Sequence, residues 1–137
     1  MSNEDSTSSL SSSSSHSIIV IDDEMELASL FKTFLTNVGY NAISFSDPLL
    51  ALEYFKETPY RHSLIITDMR MPGICGIELA KKVREENENI KIFLMTAFDI
   101  GDLKNHPDYT AAKIDRLLQK PVRFSELKEM INGVLRS

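Results

Sequence analysis

The chain has 137 residues and a formal net charge of −5, a length that suits one folded domain with its own hydrophobic core. The excess of acidic residues argues against nucleic-acid binding by this chain, because neutralising a phosphate backbone needs a basic surface. No apolar run approaches the about 18 residues of a membrane span, no stretch reads as a signal peptide, and a single cysteine, Cys75, suits a reducing compartment, so we expect a cytoplasmic protein without membrane contacts.

The first sixteen residues form a serine-rich segment. Nine of the first fifteen residues are serine and none is basic. Such a composition buries too little apolar surface to offset the entropy that is lost on ordering. We therefore predict a disordered tail over residues 1–16 and a folded domain over residues 17–137.

Within the folded part, short apolar segments alternate with amphipathic ones. The β-branched run 18–21 is typical of a strand covered on both faces. Further strands are predicted over residues 40–45, 63–67, 90–95 and 116–119.

Helices are predicted between these strands from the three-and-four spacing of apolar residues. The predicted helices cover residues 27–38, a segment opened by Asp47 and Pro48, residues 76–87 and residues 124–135. Gly101 and Pro107 interrupt the pattern between residues 98 and 113, so the fourth helix is expected to be short or irregular. The alternation predicts an α/β fold: a doubly wound five-stranded parallel sheet with helices on both faces.

Polar side chains follow the predicted strands at their carboxyl ends, where open α/β sheets bind ligands. The residues at these ends are Asp22, Asp23 and Glu24 after the first strand, Asp68 after the third, Thr96 after the fourth and Lys120 after the fifth. Two carboxylates about 4 Å apart at a protein surface repel by roughly 4 kcal/mol. A group of opposite charge is therefore expected among these acids.

Four motifs resemble those of a response-regulator receiver domain, in order and spacing. They are "IIVIDDE", "LIITDMRMPGICGIEL", "FLMTA" and "LLQKP". The resemblance covers about residues 17–136 and implies a flavodoxin-like receiver fold with strand order 2-1-3-4-5. It also implies a stand-alone receiver in a two-component phosphorelay. Such a protein is not an enzyme but a phospho-acceptor that promotes its own phosphorylation and dephosphorylation.

The resemblance also assigns a magnesium site. Mg²⁺ suits a hard, oxygen-only site that retains several waters. By resemblance, the direct ligands are Asp23, Asp68 and the backbone carbonyl of Arg70. Asp22 acts indirectly, by holding a bound water or Lys120.

The same resemblance makes Asp68 the phospho-acceptor for a phosphoryl group carried on a histidine of a sensor kinase or phosphotransfer protein. Mg²⁺ and Lys120 then neutralise the transferred oxygens, and the Thr96 hydroxyl bonds one of them. Pro121 restricts the backbone of Lys120 to extended conformations, and in this family the bond between them is usually cis.

Leu117, Arg70 and Cys75 depart from the family pattern. Leu117 stands where many receivers carry a Tyr or Phe that follows the Thr96 hydroxyl, so the usual switch is in question. Arg70 can reach the phosphoryl group and compete with hydrolytic water, and Phe98 can shield the same path. Both are predicted to prolong the phosphorylated state.

Two other functions fit parts of the sequence. An adaptor module that has lost phospho-switching is favoured only by Leu117. A phosphatase of the haloacid-dehalogenase type needs a second Asp two positions after the first, where this chain has Arg70.

The output partner is an unknown protein. Cys75 is expected to cap or pack at a helix start, and no role is assigned to His16, His62 or His106.

Overall fold

The computed structural model describes residues 16–97 and 100–135. Within them, five strands form one parallel sheet in the order β2-β1-β3-β4-β5. The strands are β1 (Ser17–Ile21), β2 (Asn41–Phe45), β3 (Leu64–Asp68), β4 (Lys91–Thr96) and β5 (Arg116–Gln119). The helices are α1 (Met25–Asn37), α2 (Pro48–Glu57), α3 (Gly76–Glu86), α4 (Ile100–Leu103), α5 (Tyr109–Ala112) and α6 (Phe124–Leu135).

The predicted doubly wound architecture and strand order are confirmed. Strands β3 and β4 each run one residue further than predicted, so Asp68 and Thr96 are the last residues of buried strands. The predicted tail lies outside the described residues except for His16, whose carbonyl accepts a hydrogen bond from the Asn41 N–H (3.2 Å). None of the helices in the described part of the chain is long and apolar enough to cross a membrane.

Helices cover both faces of the sheet, because alternate residues of each strand point to opposite faces. On one face, Ile19, Ile65 and Leu94 belong to a buried cluster that also contains residues of helices α2 to α5. On the other face, Val20 and Phe93 belong to a second cluster with residues of α1 and α6. The three central strands are thus buried on both sides, and their buried polar residues lie near the strand ends.

The fourth-helix region is short and broken, as predicted, and Arg84 binds the backbone at its end. The Arg84 side chain is only 7% exposed, and its guanidinium donates to the carbonyls of Ala112 (3.0 Å) and Lys113 (2.7 Å). It also lies 3.3 Å from the Asp115 carboxylate. Lys113 adopts a left-handed conformation (φ 49°) that ends α5. Arg84 therefore replaces hydrogen bonds that a longer helix would have supplied.

A buried histidine lies at the amino ends of the central strands β1 and β3. His62 is 7% exposed, and its ring lies between the hydroxyls of Ser17 (2.8 Å from Nδ1) and Tyr54 (2.7 Å from Nε2). Burial lowers the pKa of His62 from its ordinary value of 6.5, and the charge of Arg61 lowers it further. The folded protein therefore disfavours the imidazolium form.

We expect stability to fall as the pH drops below 6.5. The unfolded chain binds a proton at His62 more readily than the folded chain, so the stabilisation is complete above the unfolded pKa and is lost as the pH falls towards the folded pKa. Urea unfolding at pH 7.5 and 5.5 measures this fall, which should be smaller in His62→Gln. An equal fall in that variant would show that His62 does not cause it.

Candidate functional site

The carboxyl ends of four adjacent strands bring the predicted site residues together. Asp22 directly follows β1, Asp68 ends β3, Thr96 ends β4 and Lys120 directly follows β5. Since β1 pairs with β3, β3 with β4 and β4 with β5, these residues share one edge of the sheet.

Lys120 bridges two of the acids. Its Nζ lies 3.0 Å from Asp68 Oδ2 and 3.5 Å from Asp22 Oδ2. The Lys120 N–H donates to the Thr96 carbonyl (2.8 Å), which anchors the start of the loop to β4. The bond between Lys120 and Pro121 is cis, as the family pattern implied. The two short distances from Nζ to Asp68 and Asp22 show that the lysine side chain points into the acidic cluster.

Backbone donors orient both buried acids. Asp22 is fully buried, and its Oδ1 accepts a hydrogen bond from the Glu24 N–H (2.9 Å). Asp68 is 7% exposed, and its Oδ1 accepts one from the Met69 N–H (3.0 Å). Asp23, by contrast, is exposed. One acid thus faces solvent while the other two are held in place by the fold.

Burial and neighbouring charges shift the pKa values of Asp68 and Lys120. Burial raises the pKa of Asp68; the hydrogen bond and charge of Lys120 lower it, but not enough to cancel the burial and the repulsion by Asp22. Burial lowers the pKa of Lys120, but its bonds and charge interactions with Asp68 and Asp22 outweigh this and leave that pKa raised. Lys120 therefore stays charged, and one ammonium does not balance the acids around it.

The donor atoms fit a hard divalent cation. One carboxylate oxygen from each of Asp22, Asp23 and Asp68 lies within 4.8 Å of the others. Oxygen-only donors with carboxylate charge are the ligands that Mg²⁺ prefers.

A cavity of about 320 Å³ opens beside these acids. It is lined by Asp23, Glu24, Asp68, Met69, Arg70, Thr96, Ala97 and Lys120. Arg70 and Thr96 are thus brought to the same cavity as Asp68. Leu117 is not among the lining residues: it lies opposite Leu94 in the sheet and packs partly buried against the core. Phe98 lies outside the described residues.

Gly76 supports the acceptor loop, and its role was not predicted. Its N–H donates to the Met69 carbonyl (2.7 Å), and a Cβ at this position would overlap the Asp68 carbonyl oxygen. The only sequence signal for this contact was the second glycine of "GICGIEL", which is Gly76. Glycine occurs wherever the backbone needs conformational freedom, for many different reasons. Its presence here therefore did not predict the close approach between Gly76 and the Asp68 carbonyl.

A second group was also missed. Cys75 is the N-cap of α3, as expected of a capping residue, and its N–H donates to Glu78 Oε1 (3.0 Å). His106, to which no role was assigned, places Nε2 3.8 Å from Cys75 Sγ. These two residues are 31 positions apart in the chain, so no local pattern links them.

Comparison with known proteins identifies the family of this chain. The family model of the response regulator receiver domain matches residues 18–132. The chain is 30% identical over 118 residues to the response regulator receiver protein CpdR of Brucella abortus, a match that covers 86% of this chain and 95% of that protein. It is 27% identical to sporulation initiation phosphotransferase F of Bacillus subtilis, over 86% of this chain and 92% of that protein. Other relatives are longer: the chain spans 51% of the two-component response regulator PhoP of Pseudomonas aeruginosa.

Solved structures give the same result. The response regulator TrrA of Thermotoga maritima, in complex with Mg²⁺ and BeF, is 32% identical with a TM-score of 0.75, over 88% of this chain and 99% of that one. A CheY-like receiver domain protein of Methanospirillum hungatei, 24% identical, shares the fold with a TM-score of 0.80, over 90% of this chain and 95% of that one. With its sheet order, its acidic strand ends and a family match over most of its length, the chain belongs to the response-regulator receiver family.

Proposed function

We propose that this chain accepts a phosphoryl group on Asp68 from a phosphohistidine of a sensor kinase or phosphotransfer protein, and signals through phosphorylation-dependent binding to another protein. One observation carries the proposal. Lys120 Nζ lies within 3.5 Å of both buried acids, Asp22 and Asp68, at the mouth of a cavity. Burying two acids and a lysine together is costly for stability alone, so the arrangement favours a chemical role.

The proposed reaction is an in-line transfer. A carboxylate oxygen of Asp68 forms a bond to phosphorus, the bond from phosphorus to the donor's imidazole nitrogen breaks, and that nitrogen keeps the electron pair. Such transfers depend mainly on positioning and on neutralising the charge of the equatorial oxygens. Lys120 supplies a fixed positive charge beside Asp68. Thr96, at the end of β4, lines the cavity, where its hydroxyl can donate to a transferred oxygen.

Receiver domains bind Mg²⁺ at an acidic pocket, and Asp22, Asp23 and Asp68 form such a pocket here. We propose Asp23, Asp68 and the Arg70 carbonyl as direct ligands and Asp22 as an indirect one. Bound Mg²⁺ supplies positive charge that offsets the negative charge of the acids and of the incoming phosphoryl group. Asp23 is the exposed acid of the three, so it remains open to incoming ions.

The output step is proposed to differ from that of receivers with an aromatic switch residue. Leu117 packs partly buried beside Leu94 and has no polar tip that could follow Thr96. We propose that the signal passes through the backbone of the loop after β4. An adaptor without phospho-switching is the second candidate, and it rests on the same residue.

We also propose that Arg70 prolongs the phosphorylated state. It lines the cavity together with Asp68, where a guanidinium can bind phosphoryl oxygens. In Arg70→Ala, loss of radiolabelled phosphate should accelerate about fivefold, the factor that corresponds to a hydrogen bond of about 1 kcal/mol. Arg123→Ala, which removes an exposed arginine of the loop before α6, should leave the rate unchanged. Equal rates of phosphate loss in Arg70→Ala and wild type would contradict this role. We propose that Phe98 shields the same path of hydrolytic water.

Incubation with acetyl phosphate tests the proposed function. With Mg²⁺, intact mass spectrometry should show one added phosphoryl group in the wild type and none in Asp68→Asn. Asp47→Asn is a matched control, because Asp47 is an exposed N-cap of α2 and asparagine caps helices equally well. A wild type that gains no phosphoryl group would favour the adaptor.

A further inference from the structure

A second cluster of metal-ligating side chains lies outside the acidic pocket. Cys75 and Glu78 lie at the start of α3, and His106 lies on the segment between α4 and α5. One donor atom from each residue lies within 4.8 Å of the other two. We propose that Cys75, Glu78 and His106 form a binding site for a thiophilic divalent cation such as Zn²⁺.

The geometry is close to that of tetrahedral zinc. Cys75 Sγ and His106 Nε2 are 3.8 Å apart. With Zn–S of about 2.3 Å and Zn–N of about 2.0 Å, a tetrahedral site separates sulfur from nitrogen by about 3.5 Å. The two side chains therefore need to move by only a few tenths of an ångström. A cation of this size fits between them without rearranging α3.

The existing hydrogen bonds define what binding must change. His106 Nδ1 accepts a hydrogen bond from the Asp108 N–H (3.0 Å), so the neutral ring carries its proton on Nε2, which faces the sulfur. On binding, the ring proton moves to Nδ1, the bond to Asp108 is lost, and the Cys75 thiol releases its proton to solvent. One proton leaves for each cation bound. One neutral hydrogen bond is small beside ligation by a thiolate, an imidazole and a carboxylate.

The site is accessible from a separate cavity. A cavity of about 510 Å³ lies beside it, lined by Met69, Arg70, Met71, Cys75, Asp102, Leu103, Asn105 and His106. Three protein ligands leave a fourth coordination position for water from this cavity. Because Met69 and Arg70 line both cavities, a cation here would bind beside the acceptor loop.

Donor chemistry separates this site from the acidic pocket. Sulfur and imidazole select zinc and related ions, whereas carboxylates with water select Mg²⁺. Burial raises the pKa of the Cys75 thiol, so at neutral pH it is not a preformed thiolate nucleophile. Coordination to a metal ion deprotonates such a thiol. Oxidation needs a thiolate before it starts, and the neighbouring groups do not supply one. The three side chains therefore suit a cation better than a redox reaction.

Metal titration of the full chain in excess Mg²⁺ tests the site. Co²⁺ should give a thiolate-to-metal charge-transfer band with release of one proton. One equivalent of Zn²⁺ should then displace Co²⁺ and abolish the band without further proton release. Cys75→Ala should abolish the band, and His106→Gln and Glu78→Gln should each weaken Zn²⁺ binding at least about tenfold. Glu85→Gln, on the exposed surface of the same helix, should bind as the wild type does.

Circular dichroism shows whether each variant is folded, so a loss of binding can be assigned to the ligand itself. The proposal is overturned if the wild type gives no thiolate band, or if Zn²⁺ affinity is unchanged in Cys75→Ala and His106→Gln. It is equally overturned if Asp68→Asn, and not the Cys75 variant, removes binding, because the ion then occupies the acidic pocket. Cys75 and His106 would in those cases be a capping and hydrogen-bonding pair only.

Discussion

Replacing Lys120 with methionine is expected to slow phosphorylation by acetyl phosphate about 100-fold, the typical effect of removing one preorganised charge donor from a reaction centre. The ammonium lies 3.0 Å from Asp68 and 3.5 Å from Asp22, so the fold holds a positive charge directly beside the acceptor. Methionine keeps much of the length and the apolar stem of lysine, so the change removes mainly charge. The rate is measured by intact mass against time.

Two variants control for charge and for folding. Lys128→Met removes an exposed lysine of α6 and should leave the rate unchanged. Asp68→Asn should remain unreactive whichever residue is at position 120. The loss of such a donor slows a reaction far more than threefold. If Lys120→Met is phosphorylated within about threefold of the wild-type rate, Lys120 has no part in the transfer.

Replacing Gly76 with alanine is expected to lower the free energy of unfolding by about 2 kcal/mol, within the range for overpacked sites. The new Cβ would overlap the Asp68 carbonyl oxygen and would lie 3.1 Å from Met69 Cα. The Leu94 Cδ1 atom, 2.5 Å away, can yield with its side chain, but the other two neighbours are backbone atoms, so the strand end itself must move. Because the acceptor is part of that strand end, phosphorylation should slow together with the loss of stability.

Gly133→Ala is the matched control. Gly133 lies in α6, and a Cβ there meets nothing within 4 Å. Alanine is favoured over glycine in a helix by about 1 kcal/mol, so this variant should be slightly more stable than the wild type. Urea unfolding of both variants measures the contrast. Equal stabilities for Gly76→Ala and the wild type would show that the strand end yields without cost.

The sheet and the convergent acids could be predicted because both depend on local patterns. A β-branched run predicts a buried strand, and the polar residue that ends it must lie at the carboxyl edge of the sheet. Asp22, Asp68, Thr96 and Lys120 each follow this rule, and the structure brings them to one edge. The broken fourth helix was also predictable, from the glycine and proline between residues 98 and 113.

Contacts between distant parts of the chain could not be predicted in this way. Arg84 looks like an ordinary exposed helix residue in the sequence, yet it holds the carbonyls of Ala112 and Lys113 across the fold. The hydrogen-bond partners of His62 and His106 include residues far away in the sequence, with no recurrent spacing that a motif could reveal. The environments of these histidines therefore follow only from the tertiary packing. Such contacts depend on how helices pack on the sheet, and hydrophobic periodicity does not determine that in detail.

Locating the added phosphoryl group is the most direct test of the acceptor site. After reaction with acetyl phosphate, fragmentation of the peptide that spans β3 should place the group on Asp68 when Mg²⁺ is present and nowhere when EDTA replaces it. A phosphoryl group on any other residue, or one on Asp68 to the same extent without Mg²⁺, would contradict the account.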